Sequence, residues 1–195
     1  PLCGSISVVI NLDRKCREQC PQAVDAEVKA LICEHSDEGD LIIYTDGSVT
    51  RHTRCSWAFT ARCGGHVVQE ECGASWVTTS SMTMEVMAVT KALTWLESQS
   101  FIHACILSDS MSMLRKIESG FVRRQWLVSI TKPTLCRVTF IFVPGHAGVA
   151  GNERADALTK NAVIAQGGAM DHADILAALR DAGRTEELHI GSTNN

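Results

Sequence analysis

The chain has 195 residues, of which 45% are hydrophobic and 21% charged, and its formal net charge is −4. This composition predicts one globular domain with flanking segments and excludes a disordered chain. No apolar run reaches the roughly 18 residues that a membrane helix needs, and no basic-then-apolar leader opens the chain. We therefore expect neither a membrane span nor a signal peptide. The chain begins at Pro1, which suggests a piece of a longer polypeptide.

Nine cysteines, an odd number, occur without a Cys-x-x-Cys pair. Free thiols in a reducing intracellular compartment, the nucleus or the cytoplasm, are the favoured interpretation, so secretion is not expected. A zinc site is the weaker alternative, because the spacing of its candidate ligands matches no common zinc module. Those candidates are Cys16, Cys20, Cys33 and His35.

Charge is distributed unevenly along the chain. Between Met111 and Arg137, six basic side chains accompany a single acidic one, and a second basic cluster comprises Arg51, Arg54 and Arg62. Basic patches on an acidic body suit a nucleic-acid partner that approaches one face. A solvated helix face explains the same charges equally well.

Residues 1–39 are predicted to form a lead-in or linker segment. They contain one short helical pattern, and the acidic stretch 34–40 places the predicted domain boundary. The apolar positions of that pattern are Val24, Val28, Leu31 and Ile32.

The apolar stretch from Leu41 predicts a buried strand that runs directly into Asp46-Gly47-Ser48. Asp-Gly after a strand is a frequent hairpin signal, and this interpretation is favoured for the stretch alone. The alternative is a carboxylate held at the edge of a sheet, which is costly unless a cation or strong donors satisfy it.

Two further strands are predicted at 56–61 and 66–70. The Gly64-Gly65 turn between them predicts a hairpin, so the first three strands form an antiparallel meander. A helix follows the capping cluster 78–81, with apolar positions recurring from Val86 to Leu96. Glu85 lies near the start of this helix on an otherwise apolar row, which is unusual for a carboxylate. The alternative interpretation is that its negative charge only stabilises the helix by interacting with the positive end of the helix dipole.

The rest of the chain alternates between strands and helices. The apolar run 103–108 ends at Asp109, helices are predicted at 111–118 and 121–130, and 137–143 is the last strand. A glycine-rich loop, 144–151, leads into a helix that begins near Asn152 and carries Asp156. A tail with one short helical pattern occupies 167–195. This order predicts an α/β fold with a mixed five-stranded sheet, three antiparallel strands and then two parallel ones, flanked by helices.

Four carboxylates could converge at one edge of this sheet, because ligands usually lie at the carboxyl ends of strands. Pairs of ionised carboxylates 4 Å apart repel by roughly 4 kcal/mol at an effective dielectric of about 20. Such a cluster must bind protons or cations. Oxygen ligands favour Mg²⁺ or Mn²⁺ over zinc. Two such ions about 3.5–4 Å apart are the arrangement that serves in-line phosphodiester displacement.

The motifs resemble ribonuclease H type 1, in the form fused to the reverse transcriptase of retroelements, particularly non-LTR retrotransposons. The resemblance covers about residues 40–166 and implies a ribonuclease H-like sheet. The matching stretches are Tyr44-Thr45-Asp46-Gly47-Ser48, Met84-Glu85-Val86-Met87-Ala88, Ser108-Asp109-Ser110, Val143-Pro144-Gly145-His146-Ala147-Gly148 and Gly151-Asn152-Glu153-Arg154-Ala155-Asp156.

The resemblance implies endonucleolytic hydrolysis of the RNA strand of RNA/DNA hybrids with two Mg²⁺ ions, Mn²⁺ being an alternative. It implies that Asp46, Glu85, Asp109 and Asp156 bind the metals, and that His146 assists proton transfer or product release. It also implies a reverse transcriptase domain in the parent polypeptide, and we expect a monomer without membrane association.

The resemblance further implies substrate contacts and one supporting residue, Glu153, beside the metal ligands. The predicted contacts are Gly47, Ser48, Ser80, Ser81, Ser110, Arg123, Arg124 and Asn152. Met82 and Met111 replace residues that are often polar in the family, and 120–137 is too short for the basic helix and loop of cellular members. The alternative function is a catalytically silent, retroelement-derived nucleic-acid-binding module. An integrase or exonuclease of the same superfamily is disfavoured by the last two motifs.

Overall fold

The computed structural model describes residues 5–50, 54–75, 80–120 and 137–165. A 3₁₀ turn at Arg14–Glu18 follows the first strand. The strands are β1 (Ser5–Val9), β2 (Leu41–Thr50), β3 (Arg54–Cys63), β4 (His66–Ser75), β5 (His103–Ser108) and β6 (Arg137–Phe142), and the helices are α1 (Pro21–His35), α2 (Ser81–Leu96), α3 (Met111–Glu118) and α4 (Ala150–Ala165).

These strands form one mixed sheet in the order β1-β6-β5-β2-β3-β4. The β2-β3 and β3-β4 pairs are antiparallel, whereas β2, β5, β6 and β1 run parallel to one another. The predicted α/β fold and its mixed sheet are confirmed, including the meander and the two parallel strands that follow it.

The sheet has a sixth strand, β1, which the sequence analysis did not predict. It pairs in parallel with β6, in the register Ser5–Arg137 to Val9–Ile141. The hydroxyl of Ser7 donates to Oγ1 of Thr139 at 3.2 Å. The run Ser5–Val9 is short and partly exposed, so its sequence pattern indicates a strand only weakly. The strand with which it pairs, β6, lies about 130 residues away. Part of the predicted lead-in is therefore built into the sheet, and the boundary near residue 40 remains a prediction.

Helix α1 follows the predicted apolar spacing, and it buries Val24, Val28 and Leu31. Helix α2 begins at Ser80, whose hydroxyl accepts a hydrogen bond from the backbone N–H of Thr83 at 3.2 Å. Such a cap satisfies one of the free amides of the first helical turn. The core lies between the helices and the sheet, and its largest fully buried side chains include Phe59, Phe140, Phe142, Leu107 and Met84.

Several predictions fall on residues outside the described part of the chain. They are the helix at 121–130, the tail at 167–195 and the basic side chains Arg51, Arg123 and Arg124. No helix among the described residues offers an apolar stretch of the length that a bilayer crossing requires. The described cysteines are all free thiols.

Candidate active site

The parallel pairing of β2 with β5 brings two aspartates together. The last paired position of these strands is Tyr44–Leu107. Asp46 lies two residues beyond Tyr44, and Asp109 lies two residues beyond Leu107. Asp46 is 8% exposed, although it is a carboxylate. Both aspartates therefore lie at the edge of the sheet where the β2–β5 pairing ends. The hairpin turn favoured for Asp46-Gly47 alone is wrong, because β2 continues through Asp46 to Thr50 in antiparallel pairing with β3.

Glu85 reaches this edge because α2 lies directly against β2. A Cβ atom at Gly47 would lie 2.3 Å from the backbone nitrogen of Glu85 and from the carbonyl carbon of Met84, so only glycine allows this approach. Glu85 is 6% exposed. Ligand oxygens of Asp46, Glu85 and Asp109 all lie within 4.8 Å of one another.

Asp156 approaches the same edge from α4, together with two neighbours. One ligand atom each of His146, Glu153 and Asp156 lies within 4.8 Å of the others. Asp156 also interacts electrostatically with Asp46 and with Asp109. We call Asp46, Glu85, Asp109 and Asp156 the acidic cluster.

The loop after β6 carries His146 beside the acidic cluster. His146 is exposed and has a φ of 53°, which is uncommon for a residue other than glycine. A Cβ atom at Gly145 would lie 2.3 Å from Oδ2 of Asp109, so the loop backbone rests against that carboxylate. His146 interacts electrostatically with both Asp46 and Asp109.

Burial and mutual repulsion raise the pKa of three members of the acidic cluster. Burial is the main cause in each case. The pKa of Asp46 rises to about 6, with the Asp109 and Asp156 charges adding to the increase. Burial, Asp109 and Asp46 raise the pKa of Glu85 well above its usual value, and the pKa of Asp109 is raised as well. The cluster thus concentrates negative charge where water solvates it poorly.

Hydrogen-bond donors satisfy these carboxylates only in part. The Gly47 backbone and the Ser108 hydroxyl bond to Glu85, and the Asn152 side chain bonds to Asp109. The hydroxyl of Thr159 lies 2.8 Å from Oδ2 of Asp46 and 2.7 Å from the carbonyl oxygen of Asp156. Because it has one proton, Thr159 donates to one of these oxygens at a time.

Two buried oxygen atoms of the site that have no hydrogen-bond partner could bind a divalent metal ion. Buried Oε2 of Glu85 and Oδ1 of Asn152 have no hydrogen-bond partner. Buried acceptors without partners are rare and need an explanation. Because the available ligands are oxygens that carry several negative charges, they match the preference of Mg²⁺ and Mn²⁺. The acidic cluster is thus chemically suited to such ions.

A lysine pairs with Asp156, which is one of the two partly exposed acids of the cluster. Nζ of Lys160 lies 2.5 Å from Oδ2 of Asp156, and the lysine side chain is 65% exposed. Pairs of this kind in one turn of a helix contribute at most about 0.5 kcal/mol. Lys160 therefore does not prevent Asp156 from binding a cation.

The predicted substrate contacts occupy different positions around the acidic cluster. Gly47 and Ser48 lie on β2, Ser81 is exposed at the start of α2, and Ser110 precedes α3 without capping it through its side chain. The Ser80 hydroxyl is already engaged as the cap of α2. Arg123 and Arg124 lie outside the described residues.

Asn152 and Glu153 lie beside members of the acidic cluster. Asn152 is 2% exposed and bonds to Asp109. Oε1 of Glu153 accepts the backbone N–H of Gly148 at 3.2 Å, which ties α4 to the His146 loop. Their predicted roles toward substrate remain predictions.

Three further residues contact the cluster and were not predicted from the sequence: Ser108, Thr159 and Lys160. Thr159 and Lys160 follow Asp156 by three and four positions in α4, a spacing that places helical side chains on one face. That spacing was the available signal. The zinc alternative receives no support, because in the described segments Cys16, Cys20, Cys33 and His35 do not form a group that could hold a metal.

Solved structures share this fold. The chain is similar to LC11-RNase H1 in complex with an RNA/DNA hybrid, at 18% identity and a TM-score of 0.52, over 64% of this chain and 97% of that one. It is also similar to the foamy viral protease-reverse transcriptase in complex with an RNA/DNA hybrid, at 18% identity and a TM-score of 0.51, over 64% of this chain and 20% of that one.

Sequence comparison assigns the family. A ribonuclease H from Methylobacillus flagellatus is 32% identical over 139 residues, which are 62% of this chain and 89% of the relative. The RNase H family model matches residues 38–164, more than half of the chain and all four members of the acidic cluster. Together with the fold and the converging carboxylates, this match makes the chain a member of the RNase H family of enzymes.

Proposed function

We propose that this ribonuclease H cleaves the RNA strand of RNA/DNA hybrids internally, with two Mg²⁺ ions at the acidic cluster. One observation carries the proposal. Three carboxylates of raised pKa, two of them buried, lie within 4.8 Å of one another, and one buried oxygen, Oε2 of Glu85, has no hydrogen-bond partner.

Each member of the acidic cluster would take part in holding the metals. Asp46, Glu85 and Asp109 would hold one ion, and Asp156 would contribute to holding the other. When bound, two such ions supply an activated water and neutralise charge on the leaving oxygen. Mn²⁺ would serve the same ligands, since it has similar preferences.

The protein groups around the cluster would position these acids. Thr159 holds Oδ2 of Asp46, and Asn152 holds the Asp109 carboxylate, so both side chains keep their orientation. His146 is exposed, and one of its ring nitrogens lies within 4.8 Å of a carboxylate oxygen of Asp156. We assign it the transfer of a proton at an imidazole nitrogen or assistance to product release.

Hybrid would be distinguished from duplex DNA by 2′-hydroxyl contacts in the minor groove. Gly47, Ser48 and Ser110 flank the acidic cluster and would face the nucleic acid there. The similar fold of LC11-RNase H1, whose structure contains an RNA/DNA hybrid, supports this substrate class.

We also propose a retroelement origin, with a reverse transcriptase domain in the parent polypeptide and an intracellular site of action. The foamy viral protease-reverse transcriptase supports this context, because a part that makes up 20% of that chain shares this fold. Free thiols at the described cysteines are compatible with a reducing compartment.

The test compares labelled RNA/DNA hybrid, double-stranded RNA and duplex DNA, each with Mg²⁺ and then with EDTA. We expect internal cuts in the RNA strand of the hybrid alone, and only with Mg²⁺. Asp109→Asn is the control that removes one metal ligand with little change in volume. Binding without cleavage by the unmodified protein would favour the silent nucleic-acid-binding module instead.

A further inference from the structure

The lead-in segment forms one wall of a cleft that opens onto the acidic cluster. The cleft has a volume of about 230 Å³ and is lined by Arg14, Arg17, Asp109, Phe142, Gly145 and His146. Arg14 and Arg17 belong to the 3₁₀ turn, Phe142 is the last residue of β6, and the others belong to the site already described. We call it the arginine cleft.

The sheet topology explains why this turn lies beside the site. β1 is parallel to β6 and ends at Val9, opposite Ile141. The chain after β1 therefore leaves the sheet at the same edge as the His146 loop, which follows β6. The pairing of β1 with β6 thus brings residues 10–20 to this end of the sheet.

The turn is held firmly in place. Leu12 is buried in the core, and Cys16 packs against it. The Asp13 carboxylate accepts the backbone N–H of Lys15 at 3.3 Å, which caps the turn. These contacts fix the backbone that carries Arg14 and Arg17.

Helix α1, the next part of the lead-in, fastens the same region to the His146 loop. Pro21 packs against Gly148, and Oδ1 of Asp25 accepts the backbone N–H of Ala150 at 3.5 Å. The lead-in and the His146 loop therefore form one continuous surface.

The two arginines are available to a ligand. Both are exposed, and within the described segments neither has an ion-pair partner. A guanidinium presents a planar fork of donors that fits a phosphate. The cleft, at about 230 Å³, is smaller than the roughly 300 Å³ at which small-molecule pockets begin. It suits one charged group of a larger ligand better than a complete small molecule.

We propose that Arg14 and Arg17 bind a backbone phosphate of the nucleic acid next to the scissile bond. This inference rests on the proposed function, and it assigns a substrate-binding role to a segment outside the residues matched by the family model, 38–164. It also supplies positive charge close to the acidic cluster, where the carboxylates alone would repel the nucleic acid.

The test uses the full chain with the double substitution Arg14→Ala and Arg17→Ala. Lys15→Ala is the matched control, because Lys15 lies on the same turn but does not line the cleft. Binding of a labelled hybrid is followed by fluorescence anisotropy in EDTA, and cleavage kinetics are measured with Mg²⁺. Both are repeated at several salt concentrations, and thermal melting verifies that each variant is folded.

For the double variant we expect Kd and KM to rise about tenfold at moderate salt, with kcat within about twofold. The slope of log Kd against log salt should become shallower by up to about 0.9 for each phosphate that the protein no longer neutralises. Restoring charge with Arg14→Lys and Arg17→Lys should recover the salt dependence in large part. Lys15→Ala should behave like the unmodified protein.

A further experiment identifies the strand whose phosphate the two arginines bind. Neutral methylphosphonate linkages replace phosphates near the cleavage point, first in one strand of the hybrid and then in the other. The modification should weaken binding by the unmodified protein and have little further effect on the double variant. Unchanged Kd and salt dependence in the double variant, or equal losses of affinity in Lys15→Ala, would overturn the inference. Failure of the unmodified protein to cleave hybrid would instead refute the proposed function, whatever the variants show.

Discussion

Asp46→Asn should make the metal-free protein more stable while it destroys the site. Asp46 is 8% exposed, and burial together with the Asp109 and Asp156 charges raises its pKa from 3.8 to about 6. The folded protein therefore binds this proton more tightly than the unfolded chain does. Stability falls as pH rises from about 4 to about 6, and above pH 6 the full cost of the ionised, buried carboxylate remains.

The magnitude follows from the size of that pKa change. The increase of about two units in the pKa of Asp46 corresponds to a loss of about 3 kcal/mol in the free energy of unfolding when the carboxylate is ionised, at 1.36 kcal/mol per unit. Asparagine removes the charge and still offers an oxygen to the hydroxyl of Thr159. Its amide group must itself find hydrogen bonds, which reduces the gain to about 1–3 kcal/mol. For a chain of this size, this corresponds to an increase in Tm of about 3–10 °C.

The assay is thermal unfolding in EDTA at pH 7.5 and again near pH 4, followed by a Mg²⁺ titration at pH 7.5. The stability difference should be present at pH 7.5 and nearly absent at the lower pH. Mg²⁺ should raise the Tm of the unmodified protein, since a ligand that binds only the folded state stabilises it. The variant should respond much less.

Asp37→Asn serves as the control for this experiment. The side chain of Asp37 is 88% exposed, and its oxygen lies 3.8 Å from the Arg137 guanidinium. Exposed pairs contribute little, so its Tm should change by less than about 2 °C with or without Mg²⁺. If Asp46→Asn were no more stable than the unmodified protein in EDTA at pH 7.5, the reasoning about burial and repulsion would be refuted.

Three further substitutions test other parts of the site. Asp109→Asn should abolish hybrid cleavage and leave the circular dichroism spectrum unchanged; substantial residual cleavage would show that Asp109 is not a metal ligand. Gly47→Ala should lower the free energy of unfolding by about 1–3 kcal/mol in denaturant titrations, because its Cβ would lie 2.3 Å from the backbone of Glu85; an unchanged midpoint would contradict that close approach. His146→Ala should lower kcat by about a hundredfold with unchanged Mg²⁺-induced stabilisation, and an unaltered pH–rate profile would argue against proton transfer by this residue.

The sequence predicted the acidic cluster because the relevant signals are local. Asp46 follows an apolar stretch within β2, Asp109 follows the apolar strand β5, and Glu85 follows a helix cap by a few residues. The family motifs then connected these positions with Asp156. Strand ends and helix starts depend on neighbouring residues, so periodicity and capping patterns reveal them.

The lead-in could not be predicted in the same way. β1 is a strand because it pairs with β6, which lies about 130 residues further along the chain. The position of Arg14 and Arg17 depends on that pairing. Thr159 was missed for a related reason: a threonine within a helix has no distinctive pattern until its contact with Asp46 is seen.

The central claim is that the acidic cluster binds divalent metal ions, and crystals soaked in Mn²⁺ test it most directly. We expect an anomalous scattering peak within about 2.0–2.5 Å of oxygens of Asp46, Glu85 and Asp109, and loss of this peak in Asp109→Asn crystals. Absence of a peak between those three carboxylates, or a peak only at His146, Glu153 and Asp156, would contradict the claim.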